Sequence, residues 1–106
     1  MFNFFHQDTG KTINVNDIDK LNGSIELIDI REPYEFQSGS IKGAKNIPMN
    51  TLLGNPKAYL KSDGQYYIVC QSGGRSQRAC GTLLKEGYNV INVAGGVGSY
   101  CGTRRQ

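Results

Sequence analysis

The spacing of apolar residues changes within one short segment, YYIVCQSGGRSQRACGTLLKEG, residues 66–87. Residues 66–69 are apolar and β-prone, which predicts a buried strand. From 75 to 86 the apolar residues form one stripe of an amphipathic helix, and Gly87 is a typical residue just beyond a helix end. Cys70 and two glycines lie between the two elements. The pattern predicts a strand, a tight loop and a helix.

The same alternation of short apolar runs and helical stretches continues on both sides of this segment. It predicts strands at 12–15, 25–30, 45–47, 66–69 and 89–93. It predicts helical stretches from 16 or 17 to 21, from 33 to 39, near 55–61 and at 75–86. Strands that alternate with helices are typical of a parallel sheet covered by helices. The predicted fold class is α/β, with a central, mostly parallel five-stranded sheet and helices on both faces.

Size and composition limit the function classes. A chain of 106 residues is one domain, and its formal charge of +3 is too mild to favour nucleic acid or a membrane surface as a partner. The first residues lack the pattern of a signal peptide. Three widely spaced cysteines then indicate free thiols in a reducing cytoplasm. A single histidine and no CxxC pair argue against a metal site.

Cys70 is the candidate reactive group, because ligands bind at the carboxyl ends of the strands in an open α/β sheet. Gly73 and Gly74 can adopt backbone conformations that a side chain would forbid, so the loop can point several N–H groups at one spot. The N-terminus of the next helix adds partial positive charge. Such a cradle, with Arg75 nearby, lowers the pKa of a thiol and favours a nucleophilic thiolate.

The spacing separates two chemistries. Four residues lie between Cys70 and Arg75, whereas cysteine-dependent phosphatases have five, usually with a histidine before the cysteine. Here the preceding residue is Val69. The shorter loop encloses a volume better suited to one sulfur atom than to a tetrahedral phosphate. A phosphatase or arsenate reductase is therefore the weaker hypothesis.

The heptapeptide CQSGGRS, residues 70–76, resembles the C-x-x-G-x-R-S loop of rhodanese-like sulfurtransferases. Residues 29–48, DIREPYEFQSGSIKGAKNIP, are similar to a second signature of that family, and Gly95-Gly96 followed by Tyr100 is similar to its closing motif. Ser40 and Tyr100 stand where many relatives have His and Trp, at positions that suit packing or orienting roles. The resemblance predicts a single rhodanese-like domain at 12–106, after an N-terminal extension at 1–11.

The resemblance implies a sulfurtransferase that forms a persulfide on Cys70. The donor is a small anionic sulfur compound such as thiosulfate, or a persulfide, and the acceptor is a thiol or another protein. No metal or organic cofactor is implied. The substrate-binding residues would be those of the loop, Gln71, Ser72, Gly73, Gly74, Arg75 and Ser76. A non-catalytic binding module is the alternative, although inactive relatives usually lack the cysteine.

Several side chains have two possible roles. Asp29 and Arg31 lie at the end of the neighbouring predicted strand. The resemblance suggests that they support the loop, and a simple ion pair between them is the alternative. Arg75 either contacts the donor or braces the loop. Cys80 falls on the apolar stripe of the helix and is predicted to be a core residue. Cys101 is predicted to be an ordinary surface cysteine, with a role as a second, resolving thiol as the alternative.

Overall fold

The computed structural model describes residues 11–21, 25–103 and 105–106. Within these residues five strands form one sheet in the order β1-β5-β4-β2-β3, and every strand pair is parallel. The strands are β1 (Lys11–Asn14), β2 (Leu27–Asp29), β3 (Lys45–Asn46), β4 (Gln65–Val69) and β5 (Asn89–Ala94). The α/β class and the five-stranded sheet are confirmed. Of the predicted N-terminal extension, residues 1–10 lie outside the described residues.

Three α-helices and three 3-10 turns lie between the described strands or after the last of them. They are α1 (Pro33–Gln37), α2 (Met49–Gly54), α3 (Gly74–Lys85) and the turns Val15–Leu21, Pro56–Ala58 and Val97–Ser99. The helix predicted near 55–61 is wrong in position, because α2 begins directly after Pro48 and ends at Gly54. Pro56 lacks an N–H and disfavours helical geometry in the residue before it, so only one 3-10 turn follows.

Both faces of the sheet are covered. On one face Ile68 and Val90 pack with Leu52 of α2 and Leu83 of α3. On the other face residues including Val69 and Val93 pack with Val15, Ile18 and Val97 of the 3-10 turns. Side chains alternate between faces along a strand, so Cys70 and the even-numbered residues of β5 lie on the α3 face.

The longest described helix, α3, has 12 residues. None of the helices in this part of the chain combines the length and the hydropathy of a membrane span.

Candidate active site

Cys70 lies directly after β4, at the carboxyl edge of the sheet. β4 is the central strand and pairs with both β2 and β5. The loop that follows is fixed by the backbone: Val97 N–H donates to Cys70 O at 2.8 Å, and Gly98 N–H donates to Gln71 O at 2.9 Å. Cys70 is only 1% exposed. A reactant must therefore deliver a small terminal atom to this sulfur.

Two backbone N–H groups point at the Cys70 sulfur. Gly73 has a φ of +108°, in the left-handed region that favours glycine, and its N–H donates to Sγ at 3.1 Å. α3 begins at the next residue, and the N–H of Ser76 in its first turn donates to the same Sγ at 3.3 Å. Gly74 does not have such a backbone, and a Cβ there would meet nothing within 4 Å. The steric requirement predicted for both glycines holds only for Gly73.

The pKa of the Cys70 thiol is lowered from its ordinary value of 9.0. Burial is the largest single effect and raises the pKa, because it disfavours the charged form. The hydrogen bond between Cys70 and the Ser76 hydroxyl, and those from the backbone N–H groups of Ser76, Gly73 and Ser72, act in the other direction and together outweigh it. Cys70 therefore has a larger thiolate fraction at neutral pH than an ordinary cysteine.

Ser76 also connects the loop to β5. Its hydroxyl lies 3.5 Å from Cys70 Sγ, donates to Asn92 Oδ1 at 2.5 Å and lies 3.1 Å from Gly73 O. The sequence predicts Ser76 as one of the loop residues that would bind the donor and assigns no role to Asn92. The available signal is a polar residue in the middle of the strand NVINVA: Asn89, at its start, is exposed, whereas Asn92 is only 7% exposed.

Asp29 and Arg31 pair with each other and also support the cysteine loop. They form a buried ion pair in which Arg31 Nη2 lies 2.9 Å from Asp29 Oδ2 and Nε bonds both carboxylate oxygens. The other end of the guanidinium supports the loop, since Nη1 donates to Gln71 Oε1 at 3.0 Å. Nη2 also donates to Gly39 O at 2.8 Å. The pair therefore joins the end of β2 to the cysteine loop.

Arg75 braces the loop against α1. Its guanidinium forms a two-pronged pair with Glu35, with Nη1–Oε1 at 2.9 Å and Nη2–Oε2 at 3.0 Å. The hydrogen bond from Arg75 is the main reason why the pKa of Glu35 is lowered from 4.5 to about 2. The sequence assigns no role to Glu35, although it lies within the segment 29–48 that is similar to the family signature. A contact between Arg75 and a donor stays a prediction.

The glycine pair Gly95-Gly96 allows two backbone segments to lie against each other. Gly96 has φ +68° and ψ −175°, a backbone region that is essentially restricted to glycine. A Cβ at this position would lie 2.5 Å from Cys70 O and would overlap the backbone of Gln71. Gly95 also has a positive φ, of +88°. The backbone at 95–98 thus lies directly against the cysteine loop, where a side chain would not fit.

The two residues that depart from the family signature are both buried. Ser40 is fully buried and its hydroxyl donates to Asp29 Oδ2 at 2.7 Å, so it orients the carboxylate of the Asp29–Arg31 pair. Tyr100 is 5% exposed, and its hydroxyl donates to Asp19 Oδ1 at 2.8 Å. Both residues fill the packing or orienting roles that the sequence suggests.

The other two cysteines differ from Cys70. Cys80 lies on the buried side of α3 and is part of the core. Burial raises its pKa to about 12, and the charge of Cys70 contributes less. Cys101 is exposed, and its Sγ lies 3.5 Å from Ser99 O. The core position of Cys80 agrees with the sequence, and a resolving role for Cys101 stays a prediction.

No metal site is seen in the part of the chain that the structure describes, where no three His, Cys, Asp or Glu side chains come together. An open cavity of roughly 250 Å³ lies at the amino ends of the strands, the opposite edge of the sheet from Cys70. Its lining residues include Glu26, Lys45, Lys61 and Tyr66. The candidate chemistry therefore belongs to the cysteine loop and not to this cavity.

Curated proteins with similar sequences include sulfur-transfer proteins. A protein named sulfurtransferase from Allochromatium vinosum is 39% identical over 72 residues, which cover 67% of this chain and 66% of that protein. The uncharacterized protein YqhL of Bacillus subtilis is 46% identical over 72 residues, which cover 67% of this chain and 56% of that protein. The chain thus spans between about half and two thirds of the length of these relatives.

Solved structures agree with the sequence comparison. A rhodanese-related protein from Thermoplasma volcanium has a TM-score of 0.77 and 34% identity, and the match covers 85% of this chain and 89% of that one. The family profile described as rhodanese-like domain matches residues 14–103. Because this match covers most of the chain and the relatives share both sequence and fold, the protein belongs to the rhodanese-like domain family.

Proposed function

We propose that the protein is a sulfurtransferase in which Cys70 accepts a sulfur atom and passes it on. One observation carries this proposal: the Cys70 sulfur receives the N–H groups of Gly73 and Ser76, and its pKa is lowered. A thiolate at neutral pH is a nucleophile, and the same donors suit the anionic product. The family relationship supports sulfur chemistry at this loop.

In the first half-reaction the Cys70 thiolate attacks the outer sulfur of the donor. With thiosulfate, a bond forms between Sγ and that sulfur while the sulfur–sulfur bond of the donor breaks. Its electron pair leaves with sulfite. A persulfide donor would release a thiolate in the same way. The product is a Cys70 persulfide, whose negative charge is on the outer sulfur atom.

In the second half-reaction an acceptor thiolate attacks this outer sulfur. The new bond forms to the acceptor, the bond to Sγ breaks, and its electrons return to Sγ as the thiolate. Cyanide would serve as an acceptor in an assay and would leave as thiocyanate. A thiol or another protein is the proposed acceptor in the cell. Two half-reactions with one covalent intermediate predict ping-pong kinetics.

The surroundings of the loop suit a positioning role. Arg31 holds the side chain of Gln71, and Glu35 holds Arg75, so two ion pairs keep the loop closed around the sulfur. We propose that Gln71, Ser72 and Gly74 contact the donor through their backbone at the exposed rim. The reaction needs no metal or organic cofactor.

We propose residues 12–106 as the single catalytic domain, after the extension at 1–11, and a reducing cytoplasm as its location. Such a compartment would keep the three free cysteines, Cys70, Cys80 and Cys101, available as thiols.

The decisive test is mass spectrometry of the protein after incubation with thiosulfate. We expect the Cys70 peptide to gain the mass of one sulfur atom and to lose it again on addition of cyanide. Cys70→Ser should abolish both the adduct and thiocyanate production. Cys80→Ser is the matched control and should keep most of the activity, because Cys80 is buried in the core.

Four outcomes would argue against the proposal. Full transfer activity in Cys70→Ser would remove the assigned nucleophile. Convergent initial-rate plots for thiosulfate and cyanide would indicate a ternary complex instead of a covalent intermediate. Hydrolysis of p-nitrophenyl phosphate with no transfer of sulfur would favour the phosphatase class, and absence of both reactions would favour a binding module.

A further inference from the structure

The Ser76 hydroxyl has three possible acceptors around it but only one hydrogen to donate. Its single hydrogen faces Asn92 Oδ1 at 2.5 Å, Gly73 O at 3.1 Å and Cys70 Sγ at 3.5 Å. All three atoms can accept, and a hydroxyl donates only once. The shortest contact is the one to Asn92. A negatively charged sulfur would compete with Asn92 for this hydrogen.

With Cys70 as a thiol, the observed arrangement satisfies both groups. The S–H donates to Ser76 Oγ, and the Ser76 O–H donates to Asn92 Oδ1. With Cys70 as a thiolate, the sulfur has no hydrogen to donate and becomes a strong acceptor. If Asn92 still accepts the hydroxyl hydrogen, the thiolate loses one donor in a nearly buried site, where an unmet charge is costly.

An asparagine can resolve this conflict, because its amide has an acceptor on one side and a donor on the other. Rotation of the Asn92 amide by half a turn places its NH₂ against Ser76 Oγ. Oγ then accepts from the amide, and the hydroxyl hydrogen is free for the sulfur. Within the described residues, Asn92 Nδ2 donates no hydrogen bond that this rotation would break. The proton lost by the sulfur goes to solvent, and the amide only rotates.

We propose that Asn92 is a positioning residue whose amide directs the Ser76 hydroxyl hydrogen either to β5 or to the Cys70 sulfur. The inference rests on the proposed role of Cys70 as the reactive thiol. Asn92 is the buried polar residue of β5, and its place on the α3 face brings it to Ser76. An aspartate there would only accept, and a leucine would do neither.

The charged and titratable groups around the sulfur give no competing switch. Asp29 and Arg31, at the end of β2, form a buried pair with each other, and Arg75 of α3 is paired with Glu35 of α1. The remaining thiol nearby, Cys80 of α3, has a pKa raised to about 12 by burial and stays neutral. The turn Val97–Ser99 contributes no titratable side chain. The Ser76 hydrogen is thus the donor that can change partner.

The test is the pH dependence of iodoacetamide alkylation in a background with Cys80→Ser and Cys101→Ser, where Cys70 is the remaining cysteine. We expect Asn92→Asp to raise the apparent pKa of Cys70 by about one to two units. The carboxylate would hold the Ser76 hydroxyl hydrogen, so the charged thiolate would lose that hydrogen bond. In a Ser76→Ala background the same Asn92→Asp change should add much less. The difference between the two backgrounds measures the coupling through the hydroxyl.

Two results would overturn the proposal. One is an equal shift from Asn92→Asp in both backgrounds, which would mean that the new charge acts on the sulfur through space. The other is a shift from Asn92→Leu as large as that from Asn92→Asp, because leucine removes the amide without capturing the hydroxyl. If the aspartate variant does not fold, Asn92→Leu is read alone: it should leave the apparent pKa of Cys70 near that of the wild type, and a rise of about one unit or more would overturn the proposal. Thermal unfolding of each variant verifies the fold.

This experiment is independent of sulfur transfer. Alkylation reports the ionisation of Cys70 whether or not the protein uses thiosulfate. If the variants show the coupling but the wild-type protein forms no persulfide, the proposed function alone is contradicted. A protein that transfers sulfur without the coupling would contradict the role of Asn92 alone.

Discussion

Replacement of Gly96 by alanine tests whether the cysteine loop depends on the glycine backbone behind it. The added Cβ would lie 2.5 Å from Cys70 O and would overlap the backbone of Gln71. Backbone atoms cannot rotate away as a flexible side chain can. The loop, or the segment 95–98, must therefore shift, and the hydrogen bonds from Val97 and Gly98 to the loop would lengthen.

Two contributions set the size of the effect. A non-glycine residue in the backbone region of Gly96 costs about 1–3 kcal/mol. Relief of the overlap costs another ~1–3 kcal/mol, as for other overpacked sites. The free energy of unfolding should thus fall by about 2–6 kcal/mol, which is a large part of the typical ~5–15 kcal/mol of a domain.

Urea unfolding at pH 7 measures this loss, and the rate of Cys70 alkylation reports whether the sulfur keeps its N–H donors. Gly74→Ala is the matched control in the same loop. Its Cβ would meet nothing within 4 Å, and Gly74 is the first residue of α3, so the change should be neutral or stabilise by up to ~1 kcal/mol. The reasoning fails if the Gly96 variant unfolds within ~0.5 kcal/mol of wild type.

Three further changes test the rest of the site. Asp29→Asn should reduce the free energy of unfolding by about 3–5 kcal/mol, because it leaves the buried Arg31 charge unpaired; a loss as small as that of a surface pair would contradict this. Glu35→Gln should cost only about 0.5–1 kcal/mol, since the pair with Arg75 is partly exposed. The pKa of Glu35 is depressed from 4.5 to about 2, so the stabilisation from its pair with Arg75 is complete above pH 4.5 and is lost as the pH falls through about 2. If the free energies of unfolding of wild type and Glu35→Gln fall in parallel on acidification, the pair does not contribute as expected. The rate of Cys70 alkylation should fall as the pH drops through a midpoint below 9.0, and a midpoint at or above 9.0 would disprove the lowered pKa.

Local sequence patterns predict the sheet and the cysteine loop well, because both depend on neighbouring residues. The period change at 66–87 predicts β4, the loop and α3, which the structure places at Gln65–Val69 and Gly74–Lys85. α2 escapes prediction because only Leu52 of its six residues is buried, so it has almost no hydrophobic period.

The missed parts of the site are contacts between distant segments. Glu35 meets Arg75 across 40 positions of sequence, and Ser76 meets Asn92 across 16. Neither pair has a local spacing that would reveal it. The buried polar residue in β5 is a usable signal, since a buried amide needs a hydrogen-bond partner.

The ion pairs of Arg31 and Arg75 have a consequence for how the site attracts a donor. Each of these cations is already matched by a carboxylate, Asp29 or Glu35. Long-range attraction of a dianion to the two arginines is thereby weakened, and the short-range dipoles of the loop amides provide most of the remaining attraction. Ionic strength screens distant charges far more than close contacts. Under the proposed function, loading of sulfur from thiosulfate should accordingly change little between dilute buffer and physiological salt.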